Sequence, residues 1–191
     1  MTVKKGYILL TDTGTVLAKL IKFYTKKPFN HASITFDSEL NEVYSFGRKS
    51  AANPFVGGFA KEDMKTNLFN QANCAIYCFE GTEHQFERMQ RYIKNIEAQE
   101  HQYRYNLLGL FGFILNKPIK RNKAFFCSQF VATVLKQGNL VEFEKPLALI
   151  SPNDLKEVFK LHLVYQGKLK DYTKNLDENA RYSYRFFPIG V

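Results

Sequence analysis

Two side chains about 100 positions apart in this 191-residue chain could do nucleophilic chemistry together, the thiol of Cys127 and the imidazole of His31. Cys127 lies in FFCSQFVATVLKQG, where Phe126, Phe130, Val131, Val134 and Leu135 recur at helical spacing and Gly138 follows as a stop. That spacing predicts a helix over 125–137 with the thiol in its first turn. There it faces backbone N–H groups without intrahelical partners and the positive end of the helix dipole. Both favour the thiolate, the form that attacks. The flanking window from His101 to Val141 holds Arg104, Lys117, Lys120, Arg121, Lys123 and Lys136 and no acid, an electropositive setting for a thiolate or an anionic ligand. The plainer alternatives are a thiol that is simply a small buried hydrophobe and a basic face that simply keeps the protein in solution.

A nucleophilic cysteine needs a base, and the chain offers His31, His84, His101 and His162. His31 opens HASITF, a run of small and apolar residues, which makes it the strong candidate. His84 falls in the polar first turn of a predicted helix, His101 in a charged stretch, and His162 at the start of a late strand. The plainer reading of His31 is a structural residue at a strand end.

Other chemistry finds little support. Cys74 and Cys78 stand four apart in NCAIYCF, roughly 13 Å at strand rise, too far to share one metal ion or a disulfide, so they are expected in the core. With no further Cys or His cluster, no metal and no cofactor is expected. Gly57 and Gly58 are not followed by the Lys and Ser or Thr of a phosphate-binding loop.

The elements that must position the two residues can be read from pattern. Tyr7 to Leu10 is a short apolar run, and Val16, Leu17, Leu20, Ile21 and Tyr24 then recur at helical spacing. HASITF and NEVYSF alternate about a polar DSEL, which predicts a β-hairpin. With a three-residue turn at Asp37 to Glu39, Phe36 pairs with Leu40 and His31 falls opposite Ser45, which gathers Ala32, Ile34, Phe36, Leu40, Tyr44 and Phe46 on one face. A two- or four-residue connection would instead put Glu42 on the His31 face. Asn53 to Gly58 reads as a loop. NCAIYCF is a strand, and Thr82 with Gln85 forms a capping box before a helix that buries Phe86, Met89, Ile93 and Ile96. Tyr105 to Leu115 is strongly apolar but too short to span a bilayer, so a buried helix or pocket wall is expected. Ser151 and Pro152 start another helix, HLVYQ is a further strand, and RYSYRFFPIGV is a strand or an ordered tail.

Composition agrees with one folded unit. The chain is 45% hydrophobic and 24% charged, with 18 Phe, 11 Tyr and no Trp, which excludes a mainly disordered state. A chain of this length buries roughly 70% of its unfolded surface and needs neither disulfides nor a structural metal. A single domain over 1–191 is expected. Three cysteines and no signal-peptide pattern suggest a cytoplasmic protein with at least one free thiol.

NHASITFD and FFCSQFVATVL together resemble the His-strand and Cys-helix motifs of the circularly permuted papain-like cysteine hydrolases, the branch of the NlpC superfamily that includes YiiX-like proteins and the lecithin retinol acyltransferase group. GYILLTDTG is similar to the entry strand of that family and SPNDL to its late helix start, so the resemblance runs from about residue 6 to about residue 155. It implies an α+β, permuted papain-like fold in which an antiparallel sheet packs against the Cys127 helix. It further implies Cys127 as nucleophile and His31 as general base, with the tetrahedral oxyanion held by the Cys127 N–H and neighbouring donors. Family members orient the histidine with a polar residue from the next strand. Here Ser45 is the expected third member, with Glu42 as the alternative.

The function expected is therefore a cysteine peptidase or amidase that cleaves amide or related acyl bonds of a peptide-like or acyl small molecule, anionic ones included, through a thiol acyl-enzyme. A lipid acyl hydrolase or acyltransferase at anionic membranes is the alternative, since LLGLFGFIL before the basic cluster would suit an acyl chain plus an anionic head group. A non-catalytic binding protein of the same fold is the third reading. Net charge of +9 raises nucleic acid as a partner, but aromatic and basic residues do not alternate in an RNA-binding motif, so contact with an anionic membrane surface is the better expectation of the two.

Overall fold

The strand read from YILL is longer than its apolar core. In the computed structural model, which describes residues 2–14, 22, 26–48, 57–119, 121–157 and 161–175, β1 runs Val3–Asp12 and lies inside a sheet. Ile8, Leu9 and Leu10 are all fully buried because the sheet is covered on both faces there. The expected helix over Thr15 to Tyr24 and the aromatic tail RYSYRFFPIGV lie outside the described residues, apart from Lys22, which is helical.

The next elements are β2 (His31–Thr35), β3 (Val43–Arg48), β4 (Gly57–Glu62), a short α1 (Asn67–Asn70), β5 (Asn73–Thr82) and α2 (Glu83–Glu97). They are followed by β6 (Arg104–Tyr105), α3 (Leu107–Ile114), β7 (Ala124–Phe125), α4 (Cys127–Gln137), α5 (Pro152–Leu155) and β8 (His162–Lys168). The fold is mixed α+β. Six strands form one antiparallel sheet in the order β4-β3-β2-β1-β5-β8, and β6 and β7 form a separate two-stranded parallel pair.

Strand alternation sorts the core into two layers. Ile8, Leu10, Ala32, Ile34, Phe46, Phe59 and Ala75 face α2 and α4, where they meet the helix stripe Phe86, Met89, Ile93, Ile96 and the α4 residues Phe130, Val131 and Val134. Leu9, Val43, Cys74 and Ile76 face the other way, against Leu40, Met64, Phe69 and Leu169. The capping box forms as the sequence predicts, with Thr82 and Gln85 bonding reciprocally at α2, and Ser151 caps α5, where it also bonds reciprocally with Asp154. Helix α4 ends at Gln137 with Gly138 as its cap, but Asn139, at φ 53°, is the residue that takes the left-handed turn.

Three expectations change. The hairpin pairs Thr35 with Val43 and Ile34 with Tyr44, so its connection spans 36–42 rather than three residues. Asp37 explains the longer turn, because its carboxylate accepts from the backbone N–H groups of Glu39 at 2.7 Å and Asn41 at 3.2 Å. Leu40, at φ 59°, then drops into the second core layer instead of joining the first. The shift is by two residues, so the other face assignments survive. Second, the loop expected up to Gly58 gives way to β4 from Gly57. Third, α3 forms over the apolar stretch with mixed burial among its described residues: Gly109 and Gly112 are buried, whereas Leu108 and, just past the helix end, Leu115 are exposed.

Candidate active site

Helix α4 begins at Cys127 with Phe126 as N-cap, in extended conformation, with no side-chain cap and no acid in the first turn. Its approach to the sheet is set one turn later. The Phe130 ring lies 5.0 Å from that of Phe46 and 6.0 Å from that of Phe59, and burying each such side chain contributes roughly 1.5–3 kcal/mol. That packing brings the helix start over the beginning of β2. There the Cys127 side chain comes close enough to the His31 ring to raise its pKa.

His31 is held from its other side by a residue the sequence reading did not select. Its Nε2 lies 2.7 Å from Oε1 of Glu62, the last residue of β4, and Oε2 of the same carboxylate accepts from Ser33 Oγ. Glu62 reaches across β3 because the intervening positions are small: Ser45 and Gly47 lie on that face, and Ala60 pairs with Ser45. Both partners are withdrawn from solvent, with His31 14% and Glu62 7% exposed at the side chain. With Nε2 engaged by Glu62, Nδ1 is the ring nitrogen left for the sulfur.

Burial alone would push the imidazole toward its neutral form. The Glu62 charge and the nearby Cys127 side chain outweigh it, and the His31 pKa stands well above the ordinary value of 6.5. The ring proton is thus held most tightly when the sulfur is anionic. Cys127 is 6% exposed. The other two thiols differ in kind: burial pushes Cys74 up to about 12 and raises Cys78 as well, and both are buried without a base beside them.

Ser45 Oγ also lies within hydrogen-bond distance of His31 Nε2, at 3.4 Å, while its own hydrogen goes to the Ala32 carbonyl at 2.9 Å, so it is a second, longer contact beside that of Glu62. Glu42 is elsewhere, accepting from Tyr44 Oη at 2.8 Å and pairing with Lys61 at 3.6 Å. Glu62 therefore takes the place expected of Ser45 or Glu42. The sequence signal that could have found it was weak, because GGFAKE contains one large apolar residue and opens on two glycines, which reads as a turn rather than a strand. His84, His101 and His162 are exposed. Among the described residues no group of three or more His, Cys, Asp or Glu is placed to hold a metal ion.

Two further sets of bonds hold the pair in place. At the start of β2, Asn30 donates to Asp12 at 2.6 Å and bonds its backbone N–H to the Thr11 carbonyl at 3.1 Å, and Asp12 pairs with Lys22 at 2.6 Å. Burial opposes ionisation of Asp12, yet Lys22 and Asn30 hold its pKa below the usual value. From the other direction, the segment 150–153 joins the two halves: Ser128 donates to the Ile150 carbonyl at 2.7 Å, and Asn153 donates to the Phe29 carbonyl at 3.0 Å. The SPNDL motif thus ties the first turn of the cysteine helix to the chain two residues before His31. A cavity of about 360 Å³ lies beside Glu62, walled by Leu40, Glu42, Val43, Lys61 and Met64.

No family model, curated protein or solved structure matches this chain.

Proposed function

We propose that the protein is a cysteine hydrolase of the permuted papain-like type, cleaving amide or related acyl bonds through an acyl-enzyme on Cys127. The observation that carries the reading is one imidazole, His31, set between the Glu62 carboxylate and the Cys127 thiol at an uncapped helix start. A structural histidine needs one partner. A carboxylate on one nitrogen and a thiol beside the ring is the arrangement that nucleophile, base and orienting group require.

In this reading His31 takes the proton of the Cys127 thiol as the sulfur bonds to the substrate carbonyl carbon. The carbonyl electrons move onto oxygen, where backbone N–H groups at the start of α4 receive the charge. Collapse breaks the bond to the leaving amine or alcohol, which departs with the proton from His31. Water then gives a proton to His31 and bonds to the acyl carbon, the C–S bond breaks, and the acid and the thiol are restored. Glu62 fixes the ring and balances its positive charge throughout. Three free thiols suit a reducing compartment, and we place the protein in the cytoplasm.

The test is acyl-enzyme trapping. Incubation with activated acyl esters and acyl amides, followed by intact-mass and peptide mapping, is expected to show one acyl group on Cys127 and none in His31→Ala. Acylation spread over all three cysteines, or unchanged in His31→Ala, overturns the reading.

A further inference from the structure

The segment between β6 and β7 is an excursion of the chain that leaves and returns beside the candidate nucleophile. Asn106 donates its backbone N–H to the Phe125 carbonyl at 2.9 Å, and Arg104 donates to the Lys123 carbonyl at 2.9 Å, so both ends are pinned just before Cys127. Inside it, Asn106 is fully buried. Its Oδ1 accepts the Gly109 N–H at 2.9 Å at the start of α3, and its Nδ2 reaches the Ile119 carbonyl at 3.5 Å. Lys117 bonds its backbone N–H to Gly112 at 2.8 Å, and a Cβ at Gly112 would lie 2.5 Å from the Lys117 carbonyl, so only glycine lets the loop close onto the helix. Helix and loop form one fixed unit.

Three apolar side chains of that unit face solvent. Leu108 is 54% exposed, and Leu115 and Ile119, beyond the helix end, are 67% and 37% exposed. Lys117, Arg121 and Lys123 lie among and just beyond them, and the sequence from His101 to Val141 contains no acid. The ion pairs found among the described residues use other cations; Lys123 instead bonds Gln99 and Gln102.

We propose that α3 and the loop after it are a docking face for an anionic lipid bilayer, with Leu108, Leu115 and Ile119 entering the acyl boundary and Lys117, Arg121 and Lys123 meeting the head groups. Charge selects this occupant. A second copy of the chain would bring the same cations against themselves, and nucleic acid would leave the exposed leucines unused because aliphatic side chains do not stack on bases. Docking would set the chain leading to Cys127 at the membrane surface, but it uses none of the catalytic groups.

The test is flotation of the full chain with phosphatidylcholine vesicles containing about 30% phosphatidylglycerol, and with phosphatidylcholine alone. Binding is expected only to the anionic vesicles. Replacing Leu108→Ser and Leu115→Ser together should weaken it at least about tenfold, and Lys117→Gln or Arg121→Gln about fivefold each. All four positions are exposed, so circular dichroism melts should be unchanged. Cys127→Ala should bind like the wild type, which separates this proposal from the hydrolase reading. Equal binding to neutral vesicles, insensitivity to the leucine pair, leucine-dependent dimerisation without lipid, or complete displacement by an oligonucleotide each overturns it.

Discussion

The two ends of the sheet's thiol chemistry make a comparison. Cys74 and Cys78 sit on β5, on one face of a strand; Cys74 lies in an apolar cluster, and burial raises the pKa of both thiols. Cys127 is no less buried, yet it begins a helix and lies beside an imidazole that a carboxylate holds from behind. Burial is nearly the same and the expected chemistry is opposite. The difference teaches that reactivity follows from what polar groups accompany a buried sulfur, not from how deeply it lies.

The sharpest way to break the comparison is to change the sulfur itself. Cys127→Ser should remove acyl-enzyme formation and lower turnover at least about 10³-fold, with little change in melting temperature. Alkylation by iodoacetamide at neutral pH should modify Cys127 at least about 10²-fold faster than Cys74, whose thiolate fraction at a pKa of about 12 is on the order of 10⁻⁵. Equal rates, read by peptide mapping, would erase the distinction.

Removing the charge behind the imidazole comes next. Glu62→Gln should lower turnover about 10²-fold and bring the His31 titration, followed by NMR, down toward 6.5, whereas Ser45→Ala should change turnover no more than about threefold. A larger effect from Ser45 than from Glu62 would restore the hydroxyl as the orienting group. The same variant has a pH signature. Because His31 is raised in the folded state, its contribution to stability is complete below its unfolded value near 6.5 and is lost as pH rises through the folded value. Denaturant melts should therefore show the widest gap between wild type and Glu62→Gln at about pH 5 to 6.5, closing in alkaline solution.

Smaller effects test the scaffold. Asn153→Ala, which cuts the tie to Phe29, should cost about 1–2 kcal/mol and reduce turnover through His31 placement. Cys78→Ala should leave activity unchanged and cost about 1 kcal/mol or less in stability.

The two candidate groups were legible because their signals are local. A helix stripe with a stop marks where Cys127 lies, and one imidazole before a small apolar strand stands apart from three in polar settings. The capping box at Thr82 and the helix start at Ser151 were legible for the same reason, since each needs only residues within one turn. The hairpin parity was readable and its register was not, because Asp37 gathers backbone N–H groups and Leu40 accepts a left-handed conformation that its residue type does not announce. Glu62 was not readable at all. Its strand has too few apolar residues to declare itself, and its carboxylate matters only because Ser45 and Gly47, on a different strand, are small enough to let it lie across them.

The sequence by itself determined the helix that begins at Cys127, the strand that begins at His31 and the α+β class, since each depends on periodicity within a few neighbouring residues. Only the tertiary structure decided that the two groups come close, that Glu62 stands behind the ring, and that Leu108 and Leu115 are exposed. Those outcomes depend on which surfaces pack together across many intervening residues, and no local pattern encodes that choice.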